Sequence, residues 1–154
     1  MPPWAVTRVG CALGVVDQSA WMRESVDYWS AAQFINATLP ADAKVMLVGE
    51  ARCMYIDRDV VIEDPYQVPL LSTLAGEESS ASSLADRLRH SGVTHLLFNR
   101  SEAARIAEMT GRKDFFNLRT KEARDRLRTF FAEDTHAVFT DGAVSVLALA
   151  DGGR

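Results

Sequence analysis

Two short apolar runs end in side chains that could do chemistry. The first ends in Gly49-Glu50-Ala51-Arg52, the second in Asn99-Arg100. An arginine offers a planar fork of donors that matches phosphate or carboxylate oxygens. A carboxylate and an amide beside it can hold sugar hydroxyls. Glu50, Arg52, Asn99 and Arg100 are therefore the ligand-binding candidates, provided both runs are strands ending on one edge. Ligands of open α/β sheets sit beyond the carboxyl ends of the strands. The same side chains have a plainer use, in which Glu50 and Arg52 pair with neighbours and fix the loop.

Other reaction signatures are missing. The chain has neither G-x-G-x-x-G nor G-x-x-x-x-G-K-[ST], the glycine loops that let backbone approach a pyrophosphate, so a nucleotide-binding domain is disfavoured. G-x-S-x-G and H-E-x-x-H do not occur either, which argues against a hydrolase. His90, His95 and His136 are scattered. His90 suits a helix carboxyl end, and His95 suits a local hydrogen bond. The acidic pairs Asp57/Asp59 and Glu63/Asp64 stand near prolines and read as solvated turn formers rather than an acid–base pair. Cys11 and Cys53 cannot make a zinc site alone. They read as two buried thiols, with one bridge as the alternative. No metal or cofactor is expected.

Charge adds a second feature. Seventeen basic and 21 acidic residues give −4, a poor footprint for nucleic-acid binding. Positions 112–128 nevertheless hold seven basic and three acidic residues, +4, leaving −8 elsewhere. Lys121, Arg124 and Arg128 fall at i, i+3 and i+7 of a helix, a spacing that suits anionic lipid headgroups or a solvated face. The first half is rich in aromatics (Trp21, Tyr28, Trp29, Tyr55, Tyr66), which serve sugar stacking or, more commonly, core packing.

The elements that must position these groups follow from periodicity. Tyr28, Ala32, Ile35 and Leu39 share a face of a helix expected over 22–39 and stopped by Pro40. KVMLVG at 44–49 reads as a strand buried on both faces, followed by a short strand at 60–62. Pro65 and Pro69 suggest an extended loop. A helix is expected over 82–91, with Ser83 and Asp86 as its capping box and Gly92 as its left-handed end. THLLF at 94–98 is a further strand. Ser101 is the expected cap of a helix to about 109, and Thr120 that of a helix to 133. Two strands, 137–140 and 144–149, flank an Asp141-Gly142 turn. Strands alternating with helices predict an α/β fold: a three-layer, open, mostly parallel sheet of about five strands with a carboxyl-terminal antiparallel hairpin.

At 154 residues with 47% apolar and 25% charged side chains, the chain has the size and composition of one ordinary globular domain. No apolar run reaches the roughly 20 residues needed to span a bilayer.

The runs LVGEAR at 47–52 and GVTHLLFN at 92–99, with Tyr55, Arg58, Ser101, Glu102 and Arg105 in between and after, resemble a soluble segment of certain bacterial membrane glycosyltransferases. These are similar to the dolichyl-phosphate-mannose–protein mannosyltransferase family. The resemblance covers roughly 26–149. It implies a domain on the extracytoplasmic side of the membrane, attached to a membrane part that uses polyprenyl-phosphate-linked sugars. The implied role is non-catalytic: acceptor contact, assembly or a lid. No catalytic residue carries over. On this basis 1–21 are expected to be a leader or the remnant of an upstream membrane segment, 22–150 a single α/β domain, and 151–154 a tail. The alternative is a freestanding α/β protein that binds a sugar or a phosphate-bearing ligand, in a compartment the sequence does not define.

Overall fold

The structure, a computed structural model, describes Gly10, Gly14 and residues 17–151. Cys11, most of the expected leader and 152–154 lie outside the described residues.

Five strands form one mixed sheet: β1 (Lys44–Val48), β2 (Asp59–Val61), β3 (His95–Asn99), β4 (Thr135–Asp141) and β5 (Val144–Leu149), in the order β2-β1-β3-β5-β4. β1 is parallel to β2 and β3, while β5 is antiparallel to β3 and β4. The α/β reading with an antiparallel hairpin at the carboxyl end is thus observed. Met46 stands opposite Leu96 and Val48 opposite Phe98, so the two candidate-bearing strands are neighbours that end at the same edge.

Alternation along the strands feeds two cores. Val45, Leu47, Leu97, Val144 and Val146 face α2 (Trp29–Thr38), where they meet Tyr28, Ala32 and Ile35. Met46, Val48 and Leu96 face the other layer. That layer holds α3 (Leu70–Glu77), α4 (Ala81–His90), α5 (Arg100–Met109) and α6 (Lys121–Glu133). Strands buried on both faces read as unbroken apolar runs, which is why KVMLV was legible. Each large side chain removed from water here contributes about 1.5–3 kcal/mol.

Several details depart from expectation. The single helix over 22–39 is two, α1 (Gln18–Ser25) and α2, so α1 runs across the expected boundary at 21/22. Val26 between them is extended, because the side chain of Asp27 is drawn to the sheet edge and Tyr28 is fully buried. Helix α3 was not expected at all. Its first amide, that of Leu70, is capped by the Glu63 carboxylate from seven residues upstream (2.6 Å). The box capping α4 is Ser80 with Ser83, not Ser83 with Asp86, since the N-cap stands three residues earlier than that signature places it. Asn99, not Ser101, caps α5. The hairpin turns at Gly142-Ala143 rather than at Asp141-Gly142. Asp141 still pairs with Val144, and only Gly142 takes a positive φ (+55°), the Gly-X pattern of a two-residue loop. Thr120 caps α6 and Gly92 (φ +85°) follows α4, both as expected.

Candidate functional site

The site begins at Gly49. Its φ is +65°, and a Cβ there would lie 2.5 Å from Ala103 Cβ and 2.8 Å from the Asn99 carbonyl oxygen. Only glycine permits both the left-handed turn and the close passage of α5. That turn folds the chain after β1 back across the sheet edge and aims Glu50 inward.

Glu50 is 3% exposed. Its Oε1 accepts from the amides of Ala51 (3.0 Å) and Arg52 (2.9 Å) and from Arg52 Nε (2.8 Å). Its Oε2 accepts from Arg52 Nη2 (2.7 Å) and Asn99 Nδ2 (3.0 Å). Five donors on one carboxylate satisfy what burial would otherwise make costly. Asn99 is fully buried and works at both ends. Its Nδ2 also donates to Asp27 Oδ2 (2.9 Å), and its Oδ1 accepts from the Glu102 amide (3.2 Å) at the start of α5. Asp27 Oδ1 receives Arg52 Nη2 at 2.7 Å. One hydrogen-bonded unit therefore joins the α1–α2 junction, the end of β1, the end of β3 and the start of α5.

Electrostatics follow from these contacts. The hydrogen bonds and charges of Glu50 and Asp27 raise the Arg52 guanidinium further above its usual range. Burial pushes the Asp27 carboxyl up, but Asn99 and Arg52 together outweigh it and hold the group below its ordinary value. Tyr28 lies beneath Arg52, with the guanidinium carbon 5.2 Å from the ring centre. Burial, and then the Glu50 charge, push its hydroxyl upward; that oxygen is buried without a hydrogen-bond partner among the described residues.

Glu50, Arg52 and Asn99 are thus brought together, and Arg100 is not. Arg100 turns to the far hairpin, donating to Ser145 Oγ (3.1 Å) and the Gly142 carbonyl (2.9 Å). Two members of the site stand outside the ligand-binding candidates, and one of them, Glu63, expected as a solvated turn former, is half-buried. Asp27 sits inside what looked like a continuous helix. Glu63 lines a cavity of about 10 Å³ with Gly49, Glu50 and Ala51, room for about one water. Burial pushes the Glu63 carboxyl up to about 7, against the opposing pull of the Leu70 amide. No three His, Cys, Asp or Glu side chains converge as a metal site among the described residues.

Elsewhere, Tyr55 packs edge-on against Trp29 (5.3 Å) and near Tyr28 (6.1 Å) at the α2 layer, the packing use for these three, while Tyr66 is exposed. His90 Nδ1 lies 2.7 Å from the Asp86 carbonyl and His95 Nδ1 2.8 Å from Thr94 Oγ1, both local contacts. Cys53 is half-buried and has no disulfide partner among the described residues. Lys121 and Arg128 are exposed on α6, each paired with Asp125 (2.7 and 3.2 Å). Arg124 donates to the Leu118 carbonyl (2.8 Å).

The open α/β sheet with its hairpin edge has a counterpart among solved structures. The fold is similar to the C-terminal globular domain of an oligosaccharyltransferase from Archaeoglobus fulgidus, at a TM-score of 0.51 and 13% identity, covering 81% of this chain and 97% of that one. At that identity the likeness is one of fold. No family model matches the chain, and no curated protein does. No helix among the described residues is long and apolar enough to cross a membrane.

Proposed function

We propose that the chain is a non-catalytic accessory domain of a membrane glycosyltransferase that uses polyprenyl-phosphate-linked sugars, working on the extracytoplasmic side. The observation that carries this reading is the fold likeness to an oligosaccharyltransferase domain, which is covered almost end to end (97%). The LVGEAR and GVTHLLFN runs add support from the sequence: they form the paired strands β1 and β3 and their rim. The buried network at that rim suits a scaffold. Glu50 and Asn99 hold geometry, and Arg52 is the residue this reading assigns to acceptor or sugar-phosphate contact. Its side chain is 43% exposed, and its Nη1 has no hydrogen-bond partner among the described residues.

Cross-linking in intact cells, followed by mass spectrometry, tests the reading. The expected result is cross-links from this domain to a multispanning membrane protein, or peptides continuous with one, together with weaker glycosylation when Arg52 is replaced. A domain found only with soluble proteins, with glycosylation unchanged on its deletion, would overturn it.

A further inference from the structure

The loop between α5 and α6 carries Phe115 and Phe116 onto the core beneath α6. Phe116 packs against Phe131 (5.9 Å between ring centres), and Phe131 against Phe98 (5.7 Å, stacked). Beside this cluster runs a groove of about 260 Å³, with Phe116, Leu118, Leu127 and Phe131 as its apolar lining and Arg124 and Arg128 as its cations. One carboxylate, Asp114, reaches the lining, and it is occupied by the Asn117 amide (2.6 Å).

The charges of this face point outward. Of the seven basic residues in 112–128, Arg112 is turned to the carbonyls of Tyr66 and Gln67, and Arg126 to that of Ala75. Lys113, Arg119, Lys121, Arg124 and Arg128 remain exposed. Asp125 pairs with Lys121 and Arg128 at once, so one carboxylate is shared between two cations. Arg124 spends one nitrogen on an exposed bond to the Leu118 carbonyl, and its other nitrogens have no partner among the described residues. The rest of the molecule is net acidic, so this positive face is local.

We infer that the α6 face, with the Phe116–Phe131 groove between its arginines, docks on an anionic phospholipid surface, the arginines meeting phosphates and the groove receiving the first carbons below them. Charge complementarity selects this occupant. A phosphate-studded surface answers several cations on one helix face together, and an apolar slot beside them answers the glycerol–acyl boundary. The inference rests on the membrane-adjacent reading above and adds to it the surface that faces the bilayer.

The test is co-sedimentation of the full chain with phosphatidylglycerol-containing vesicles, against vesicles of phosphatidylcholine alone. Binding to the anionic vesicles only, falling with salt, is expected. Arg124→Gln/Arg128→Gln should weaken it by roughly 30-fold. These side chains are exposed, so the thermal midpoint should hold, and Lys44→Gln on another face should change nothing. Soluble glycerol phosphate should not compete, which separates a lipid surface from a free phosphate site. Equal binding to both vesicle types, or none, overturns the inference. So does a dimer in sedimentation that the double variant abolishes, since that assigns the face to a second copy. Cross-links to a membrane protein alongside absent vesicle binding would sink the lipid surface and leave the accessory-domain reading standing.

Discussion

The sheet rim and the outer face of α6 are both rich in charge, and they use it in opposite ways. At the rim, Asp27, Glu50, Arg52 and Asn99 spend nearly every polar atom on one another, around a carboxylate that is 3% exposed. On α6, two cations, Lys121 and Arg128, share the Asp125 carboxylate and are 79% and 78% exposed. The first arrangement fixes four chain segments in place. The second leaves charge available to something outside the molecule. Candidate residues that look alike in a sequence therefore divide, once folded, into those that hold geometry, such as Glu50 and Asn99, and those with donors left for a partner, such as the α6 cations and the half-exposed Arg52.

Substitutions at the two regions should separate them sharply. Arg52→Met leaves Glu50 buried without its cation and should cost about 3 kcal/mol in urea unfolding, near the low end for a broken buried pair. Asn99 and two backbone amides still serve Glu50, and Arg52 is itself 43% exposed, which limits the loss. A cost near zero would make the rim an ordinary surface.

Glu63 sharpens the contrast by pH. Its carboxyl is raised from 4.5 to about 7 by burial, so folding favours the neutral form. Its contribution is complete below pH 4.5 and is lost as pH rises through 7. Glu63→Gln should therefore be nearly neutral at pH 4.5 and gain up to about 2–3 kcal/mol over the native chain at pH 8. Parallel pH–stability curves for the two proteins would refute the burial argument.

The smallest effect belongs to α6. Asp125→Ala removes both ion pairs of Lys121 and Arg128, yet the unfolding midpoint should not move measurably, because exposed pairs contribute little. A large loss there would mean that the face is part of the scaffold.

What could be read beforehand follows the range of the interactions involved. The strands β1 and β3 were legible because continuous apolar runs state two-sided burial locally, and Thr120 was legible because a cap acts on amides within its own turn. Arg52 beside Glu50 was visible as a pair for the same reason. Asp27 was not, because its partners lie 25 and 72 positions away and nothing near it marks a break except an acidic residue within an apolar helical pattern. Helix α3 was hidden because Pro69 supplies no side-chain cap, and the group that replaces it, Glu63, stands seven residues upstream beyond Pro65. Arg100 was misread because its neighbour Asn99 was taken as a strand end alone. Once Asn99 caps α5, the next side chain turns toward β5.

A double-mutant cycle between Asp27 and Asn99 addresses the rim most directly, since it isolates the bond tying the α1–α2 junction to β3 from the cap that Asn99 also provides. With Asp27→Ala and Asn99→Ala singly and together, urea unfolding should return a coupling of about 1 kcal/mol or more, as fits a charge-assisted hydrogen bond with one buried partner. Additive losses, with coupling indistinguishable from zero, would mean that these side chains are neighbours without being a unit.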